Sequence, residues 1–428
     1  MNAGRRYGII GAGIIGAAVA RAILRDDDAA QVTVLEKETE PGLHQTGRNS
    51  GVVHAGLYYT PGSAKARFAR RGIPMLREYC EEHGLAYDEC GKVLVALDER
   101  DSRRLRDIEA RAHANGVPGV RWLTGSQLPE VEPHVRGVAG LHSPTTAIVD
   151  FAAVTRAMLD EAVRAGARVR TGVEVTGFDQ THDEVRVRAA AAPARRRPGS
   201  PMLPSHPGRS GGDARRDGND TIAAFDHVII CAGLHADRLA RLAGDDEFPR
   251  IVPFRGEFAL LRPERRHLVN ALVYPVPDPR YPFLGVHFTP RVDGEVLVGP
   301  NAVLALAREG YHRRDLDVHQ ARELVAWPGF RRFARANWRT GVREVYGSLN
   351  RRAFARAARR YVPDLRAGDL VATRPGIRAQ AMDADGTLVD DFRINQRGRI
   401  LCVRNAPSPA ATASLAIADD ILATLTPR

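Results

Sequence analysis

Gly11-Ala12-Gly13-Ile14-Ile15-Gly16 has the spacing G-x-G-x-x-G, and Glu36 follows Gly16 by twenty residues. Residues of these types could bind a dinucleotide: Gly11 makes a tight turn, Gly13 lets the backbone approach a pyrophosphate, and Gly16 lets a helix pack closely on a sheet. A helix starting near Ile14 would offer unpaired N–H groups and its positive dipole end to the phosphates, and Glu36 would accept hydrogen bonds from a ribose diol. Two histidines, His54 and His287, stand among small or apolar neighbours, in Ser50-Gly51-Val52-Val53-His54-Ala55-Gly56 and Gly285-Val286-His287-Phe288. An imidazole in either place can take a proton or can be a satisfied structural group, and residue type leaves both open.

The glycine motif carries weight only if a strand precedes it and a helix follows. Tyr7-Gly8-Ile9-Ile10 is a short apolar run, Ala17 to Leu24 supplies a helix of small and apolar residues, and Val32-Thr33-Val34-Leu35 is a second strand ending at Glu36. At 428 residues the chain exceeds the size at which one core usually splits, so two domains are expected. With 44% hydrophobic and 26% charged residues, and no apolar run of membrane-spanning length, the composition is that of a soluble or peripheral protein. Only six residues, including Arg5 and Arg6, precede the first strand, which leaves no room for a signal peptide. The four cysteines (Cys80, Cys90, Cys231, Cys402) lack C-x-x-C spacing, so a reducing, cytoplasmic location and no metal centre are expected. The net charge of +11 comes largely from scattered arginines on helix faces, and nucleic-acid binding is not expected.

The segment from Gln45 to Gly56 has too many small residues for core packing to explain, since Gly and Ser bury little surface. A backbone that hugs a ligand explains them better. Joined to the opening strand-helix-strand, the run Gly47-Arg48-Asn49-Ser50-Gly51-Val52-Val53-His54-Ala55-Gly56-Leu57-Tyr58-Tyr59, continued by Pro61-Gly62-Ser63 and Lys65-Ala66, resembles the FAD-dependent oxidoreductases of the D-amino-acid oxidase type. Within that family the resemblance is to the branch that oxidises L-2-hydroxyglutarate.

The resemblance implies an α/β fold: a Rossmann-type FAD-binding domain, discontinuous in sequence (1–85, 145–240 and 365–428), and a second α+β substrate domain on an antiparallel sheet (86–144 and 241–364). It implies FAD as cofactor, with Gly11, Gly13, Ile14, Ile15, Gly16, Glu36, Lys37, Arg48, Asn49, Ser50, Gly51, Val175, Ala232, Gly233, Gly376, Ala406 and Ser408 around it. The loop Asn405 to Ser414 would lead into a helix whose N-terminus faces the flavin. A small dicarboxylate 2-hydroxy acid is the implied substrate, with Tyr58, Lys65, Arg255 and Arg378 as its contacts; each cation could instead be a surface charge or a structural ion pair. His287 is placed as the base and His54 as base or flavin contact, a covalent FAD link at His54 remaining open. The implied reaction passes electrons to oxygen or a membrane quinone. The alternative within the same fold is oxidation of a small amino acid such as glycine or sarcosine, and in another class, a flavin-less binding protein.

Residues 190–221 carry six Arg and three Asp without apolar periodicity and read as a disordered hairpin insertion. Residues 318–360 read as arginine-rich helices with interleaved aromatics, either a solvated helix pair with an aromatic inner face, the favoured reading, or a surface lying on the inner face of a plasma membrane. Alternation along Phe283 to Thr289 predicts a strand with His287 and Gly285 on one face.

Overall fold

In the computed structural model, which describes residues 4–192, 221–278 and 284–425, the apolar run before the glycine motif is strand β1 (Arg6–Ile10). Helix α1 (Ile14–Asp26) follows, and β2 (Gln31–Leu35) lies parallel to β1 with Ile9 opposite Val34. The small residues Ala17, Ala18, Ala20 and Ala22 let α1 lie close against its neighbours, and Gly16 is the tightest point: a Cβ there would stand 2.0 Å from the Gly11 carbonyl oxygen. Further along come α2 (Ala64–Glu82), β3 (Lys92–Ala96), α3 (Phe151–Arg164), β4 (His227–Ile230), β5 (Arg250–Gly256), β6 (Leu272–Pro275) and β7 (His287–Pro290). The last elements needed are α4 (Pro328–Leu349), β8 (Gly376–Met382), β9 (Ile400–Asn405) and α5 (Ser414–Leu425).

One six-stranded sheet runs Arg393–Arg397, β9, β4, β1, β2, Arg168–Arg170, parallel except for its Arg393–Arg397 edge. Alternation fills both faces. Ile9, Val34, Ile229 and Leu401 meet α1, α3 and α5, while Ile10, Leu35, Val228, Ile230 and Ile400 meet a three-stranded antiparallel layer of Val173–Gln180, Val185–Ala191 and Thr221–Phe225. This is the Rossmann-type arrangement, with helices on one face and a β layer on the other.

The second large sheet has eight strands in the order Leu370–Ala372, Ala259–Leu261, Val296–Gly299, β7, β6, β3, Ala139–Ser143, Arg121–Thr124. All its neighbours are antiparallel except β6 and β3. Val93, Val95, Val273 and Phe288 point to a core closed by the helix Arg351–Arg359. Leu94, Ala96, Leu272 and Tyr274 point the other way, onto Val52, Ala55 and Leu57 of the small-residue segment. A further small sheet orders Val303–Leu304, β5 and β8.

Several expectations shift. Leu370–Ala372 and β8 pair with Ala259–Leu261 and β5, so the C-terminal stretch rejoins the six-stranded sheet at Arg393 rather than at 365. Of the expected insertion, residues 190, 191 and 221 belong to paired strands, and 193–220 lie outside the described residues. The strand expected from Phe283 starts only at His287, leaving Gly285 ahead of it, and Phe283 lies outside the described residues. The helices of 318–360 number three, Val318–Ala326, α4 and Arg351–Arg359, and their aromatics divide. Trp327 and Phe330 are buried with Phe254 and Met382, whereas Trp338 and Tyr346 are 59% and 57% exposed. Among the described residues no helix is long and apolar enough to cross a membrane.

A buried ion pair ties the two halves of this arrangement. Arg404 on β9 is fully buried, donating to Asp245 Oδ2 at 2.7 Å and to the Pro249 carbonyl at 3.0 Å, just ahead of β5. Removing the carboxylate would strand a desolvated guanidinium, a change worth roughly 3–5 kcal/mol. Asp245→Ala is therefore expected to lower the free energy of unfolding by about that amount, read from the shift in urea midpoint at constant slope.

Candidate active site

The C-terminal ends of β1, β2 and β4 converge on the glycine turn. Gly11 has φ +106°, donates to the Leu35 carbonyl at 2.8 Å, and lies so close to Cys231 that a Cβ would stand 2.5 Å from its carbonyl oxygen; Ala232 and Gly233 continue from there. One oxygen of Glu36 accepts from Ala12 N–H at 2.8 Å and the other from Glu38 N–H at 2.9 Å, which fixes the carboxylate and leaves lone pairs for a diol. At the start of α1, Thr46 Oγ1 accepts from Ile14 N–H, while the N–H groups of Ile15 and Gly16 have no acceptor among the described residues. Unpaired helix N-terminal donors beside a tight glycine turn fit the pyrophosphate of FAD. Val175 lies in the strand whose first residue, Val173, donates to the Glu36 carbonyl, and its side chain is core.

Other residues expected around the cofactor shape the backbone instead of presenting side chains. Asn49 Nδ2 donates to the Gln45 and Thr46 carbonyls and its Oδ1 accepts from Gly51 N–H, closing the turn. Arg48 donates to the Leu43 and Pro375 carbonyls and covers the Tyr311 ring at 4.1 Å. Gly376 admits that contact, since a Cβ there would meet the Arg48 carbonyl oxygen at 2.3 Å. Lys37 turns away into ion pairs with Glu38 and Glu309. Ala406 and Ser408 sit in the loop from β9 to α5, where Thr412 Oγ1 accepts from His54 N–H at 3.1 Å. That loop therefore closes on the histidine segment.

Facing this junction, three adjacent strands of the eight-stranded sheet present Lys92 (β3), Tyr274 (β6) and His287 (β7). The imidazole of His287 stacks on Tyr274 with ring centroids 4.0 Å apart, and the Lys92 ammonium stands 3.9 Å from the same centroid. Ser50 and Thr289 hydroxyls bear on the Tyr274 phenol. His54, Tyr58 and Arg378 are half-buried, each keeping some accessible surface, and the space they border at this junction is the candidate cavity. Burial pushes His54 and His287 down to about 3, helped for His54 by Lys92, His287 and Arg378 and for His287 by Arg378 and Lys92, so both are neutral at working pH. His287 Nδ1 lies 2.9 Å from the Gly285 carbonyl oxygen, which can only accept, so Nδ1 holds the proton and Nε2 the lone pair. The His54 ring has no hydrogen-bond partner among the described residues. Burial raises Tyr58 to about 12.

Two expected substrate cations do not join them. Arg255 is opposite Ile377 on β8, one residue out of phase with Arg378, so it points to the other face, where it pairs with Glu257 at 3.2 Å and donates to the His312 carbonyl. Lys65 reaches the cavity's edge but is held by Asp390 at 2.6 Å. Lys92, Tyr274, Thr46 and Thr412 were not anticipated. The one available signal was a lysine heading a strand, Lys92-Val93-Leu94-Val95-Ala96, whose other residues are fully buried.

Comparison with known proteins places this geometry. Residues 6–424 match the family described as FAD dependent oxidoreductase. The chain is 42% identical over 415 residues to the mitochondrial L-2-hydroxyglutarate dehydrogenase of Nematostella vectensis, covering 96% of this chain and 88% of that protein. It is 39% identical over 414 residues to L-2-hydroxyglutarate dehydrogenase of Escherichia coli K12, covering 97% and 91%. Among solved structures, FAD-bound L-alpha-glycerophosphate oxidase from Mycoplasma pneumoniae has the same fold, with a TM-score of 0.73 at 21% identity over 98% of this chain and 94% of the other. The glycine turn with its open helix donors, the parallel sheet under it and a match spanning nearly every described residue agree: this chain belongs to the FAD-dependent oxidoreductase family.

Proposed function

We propose that this protein oxidises L-2-hydroxyglutarate to 2-oxoglutarate in the cavity between the glycine turn and the eight-stranded sheet. The observation that carries the reading is the cavity's charge. Arg378 and Lys92 both act on His287, and no carboxylate is among the groups that do. A dianionic substrate meets that field; a free amino acid, which brings one carboxylate and a cationic nitrogen, does not complement it. Likeness over nearly the whole chain to dehydrogenases named for that substrate supports the same choice.

FAD, when bound, supplies the two-electron acceptor for the hydrogen at C2. The chain's own part is positional and acid–base. His287 Nε2 takes the hydroxyl proton, and the Gly285 carbonyl, holding Nδ1–H, steadies the imidazolium that results. Arg378 takes the carboxylate beside the reacting carbon, in the planar two-point manner available to a guanidinium. Tyr58 walls the cavity as a neutral phenol. His54, unoriented by any side-chain hydrogen bond but anchored by its backbone to the loop before α5, is a cofactor contact. Ile15 and Gly16 N–H groups receive the pyrophosphate and Glu36 the ribose.

For the acceptor of the electrons, the reading favours a membrane quinone over oxygen. On α4, Trp338, Val342, Val345 and Leu349 form an exposed apolar stripe at helical spacing, beside exposed Arg331, Arg332, Arg335, Arg339 and Arg343. Apolar side chains flanked by guanidinium groups suit the headgroup boundary of an anionic bilayer.

His287→Ala is expected to retain FAD and to slow anaerobic flavin reduction by L-2-hydroxyglutarate by about 10²- to 10⁴-fold in stopped flow. His54→Ala should change mainly the flavin spectrum or its retention; near-normal reduction in the first variant beside collapse in the second would reverse the two roles. Wild-type flavin bleached by glycine or sarcosine and not by L-2-hydroxyglutarate would sink the substrate. For the membrane, flotation with vesicles of phosphatidylglycerol should carry the protein, and Val342→Glu with Leu349→Glu should release it. Equal recovery of wild type and variant with those vesicles would remove α4 from the account.

A further inference from the structure

Lys92 is the group the reaction has not yet used. Its residue is 2% exposed, it heads a strand whose remaining residues are fully buried, and it makes no hydrogen bond or ion pair among the described residues. Its ammonium has aromatic faces instead, Tyr274 at 3.9 Å and Tyr58 at 5.2 Å. Ring faces soften the desolvation of a cation without neutralising it. A lysine kept there for stability alone makes little sense, because an apolar side chain of the same length would fill the space without the cost of burying a charge.

Geometry supplies the purpose. The strand order β7, β6, β3 sets the strand of Tyr274 between those of His287 and Lys92, and the imidazole and the ammonium stand 4.0 Å and 3.9 Å from the Tyr274 ring centre, so no more than about 8 Å separates them. In the substrate of the reaction proposed above, two methylene groups separate the hydroxyl-bearing carbon from the second carboxylate. We propose that Lys92 receives that distal carboxylate and so sets the preference for a dicarboxylate. This assignment rests on the reading of the substrate given above and adds the residue that distinguishes its two ends. Burial alone pulls the free ammonium down to about 7, and an arriving carboxylate restores the charge.

The test uses holoprotein and two unreactive ligands, glutarate and valerate, which share one carboxylate and differ in the other. Their dissociation constants are read from the perturbation of the flavin absorbance, in wild type, Lys92→Met and Lys92→Arg, with the melting temperature of each. Lys92→Met is expected to weaken glutarate by roughly 10- to 100-fold, the range for a hydrogen bond to a charged group, and valerate by less than about threefold. The melting temperature should hold or rise, and Lys92→Arg should recover part of the glutarate affinity. Equal weakening of both ligands would move Lys92 to the shared carboxylate and overturn the assignment, as would no change in either. A wild-type flavin that L-2-hydroxyglutarate reduces, beside unaltered ligand binding in Lys92→Met, would defeat the role of Lys92 alone; a wild-type flavin it fails to reduce would defeat the substrate reading first.

Discussion

The contact on which the rest of the structure depends is the backbone-to-backbone approach at the glycine turn. Gly16 touches the carbonyl of Gly11, and Gly11 in turn touches the carbonyl of Cys231 at the end of β4. Neither contact admits a Cβ, so α1 can start only where β1, β2 and β4 end together. Strand β4 pairs with β1 across more than two hundred residues of intervening chain, Gly8 opposite Val228. That excursion supplies three strands of the eight-stranded sheet, and chain beyond β4 the other five; the sheet is held over the turn by the packing of Leu272 and Tyr274 on Val52 and Leu57.

Over the cavity the governing cost is desolvation. A protein interior tolerates a cation when a carboxylate accompanies it, as with Arg404 and Asp245 or Arg308 and Asp237. Lys92 departs from that rule at the same depth. The two arrangements in one chain separate structural arginines, each held by an acid and a carbonyl, from charge held in reserve for a ligand. Neutral histidines belong to the same economy of charge: with cations already near, a protonated imidazole before substrate arrives would add to the repulsion.

The local half of this design was legible in the sequence. The strand, glycine turn, helix and Glu36 lie within thirty-odd residues, and each is dictated by its own residue types, so their reading needs no knowledge of distant chain. Arg255 shows where such reading fails. It differs from Arg378 only by which face of a strand pair it occupies, and that is fixed by the register Phe254 to Arg378, a pairing between segments far apart in the chain. Lys92, Tyr274 and His287 were illegible as a set for the same reason, since three strands from three separate stretches bring them side by side. Alternation also put His287 in the wrong relation to Gly285. The strand begins too late for the two to share a face, and what joins them is a hydrogen bond from the ring to the backbone.

The position of β9 and α5 has a consequence for biosynthesis. β9 is the second parallel neighbour of β4, and α5 packs Leu415, Ile417 and Ile421 into the core shared with α1. A nascent chain can pair β1 with β2 early, but the sheet that holds the glycine turn stays open on one side until residues 400–425 have emerged. The glycine turn is therefore completed by distant chain, and a chain truncated or stalled before residue 400 has the glycine motif without a finished place to put it.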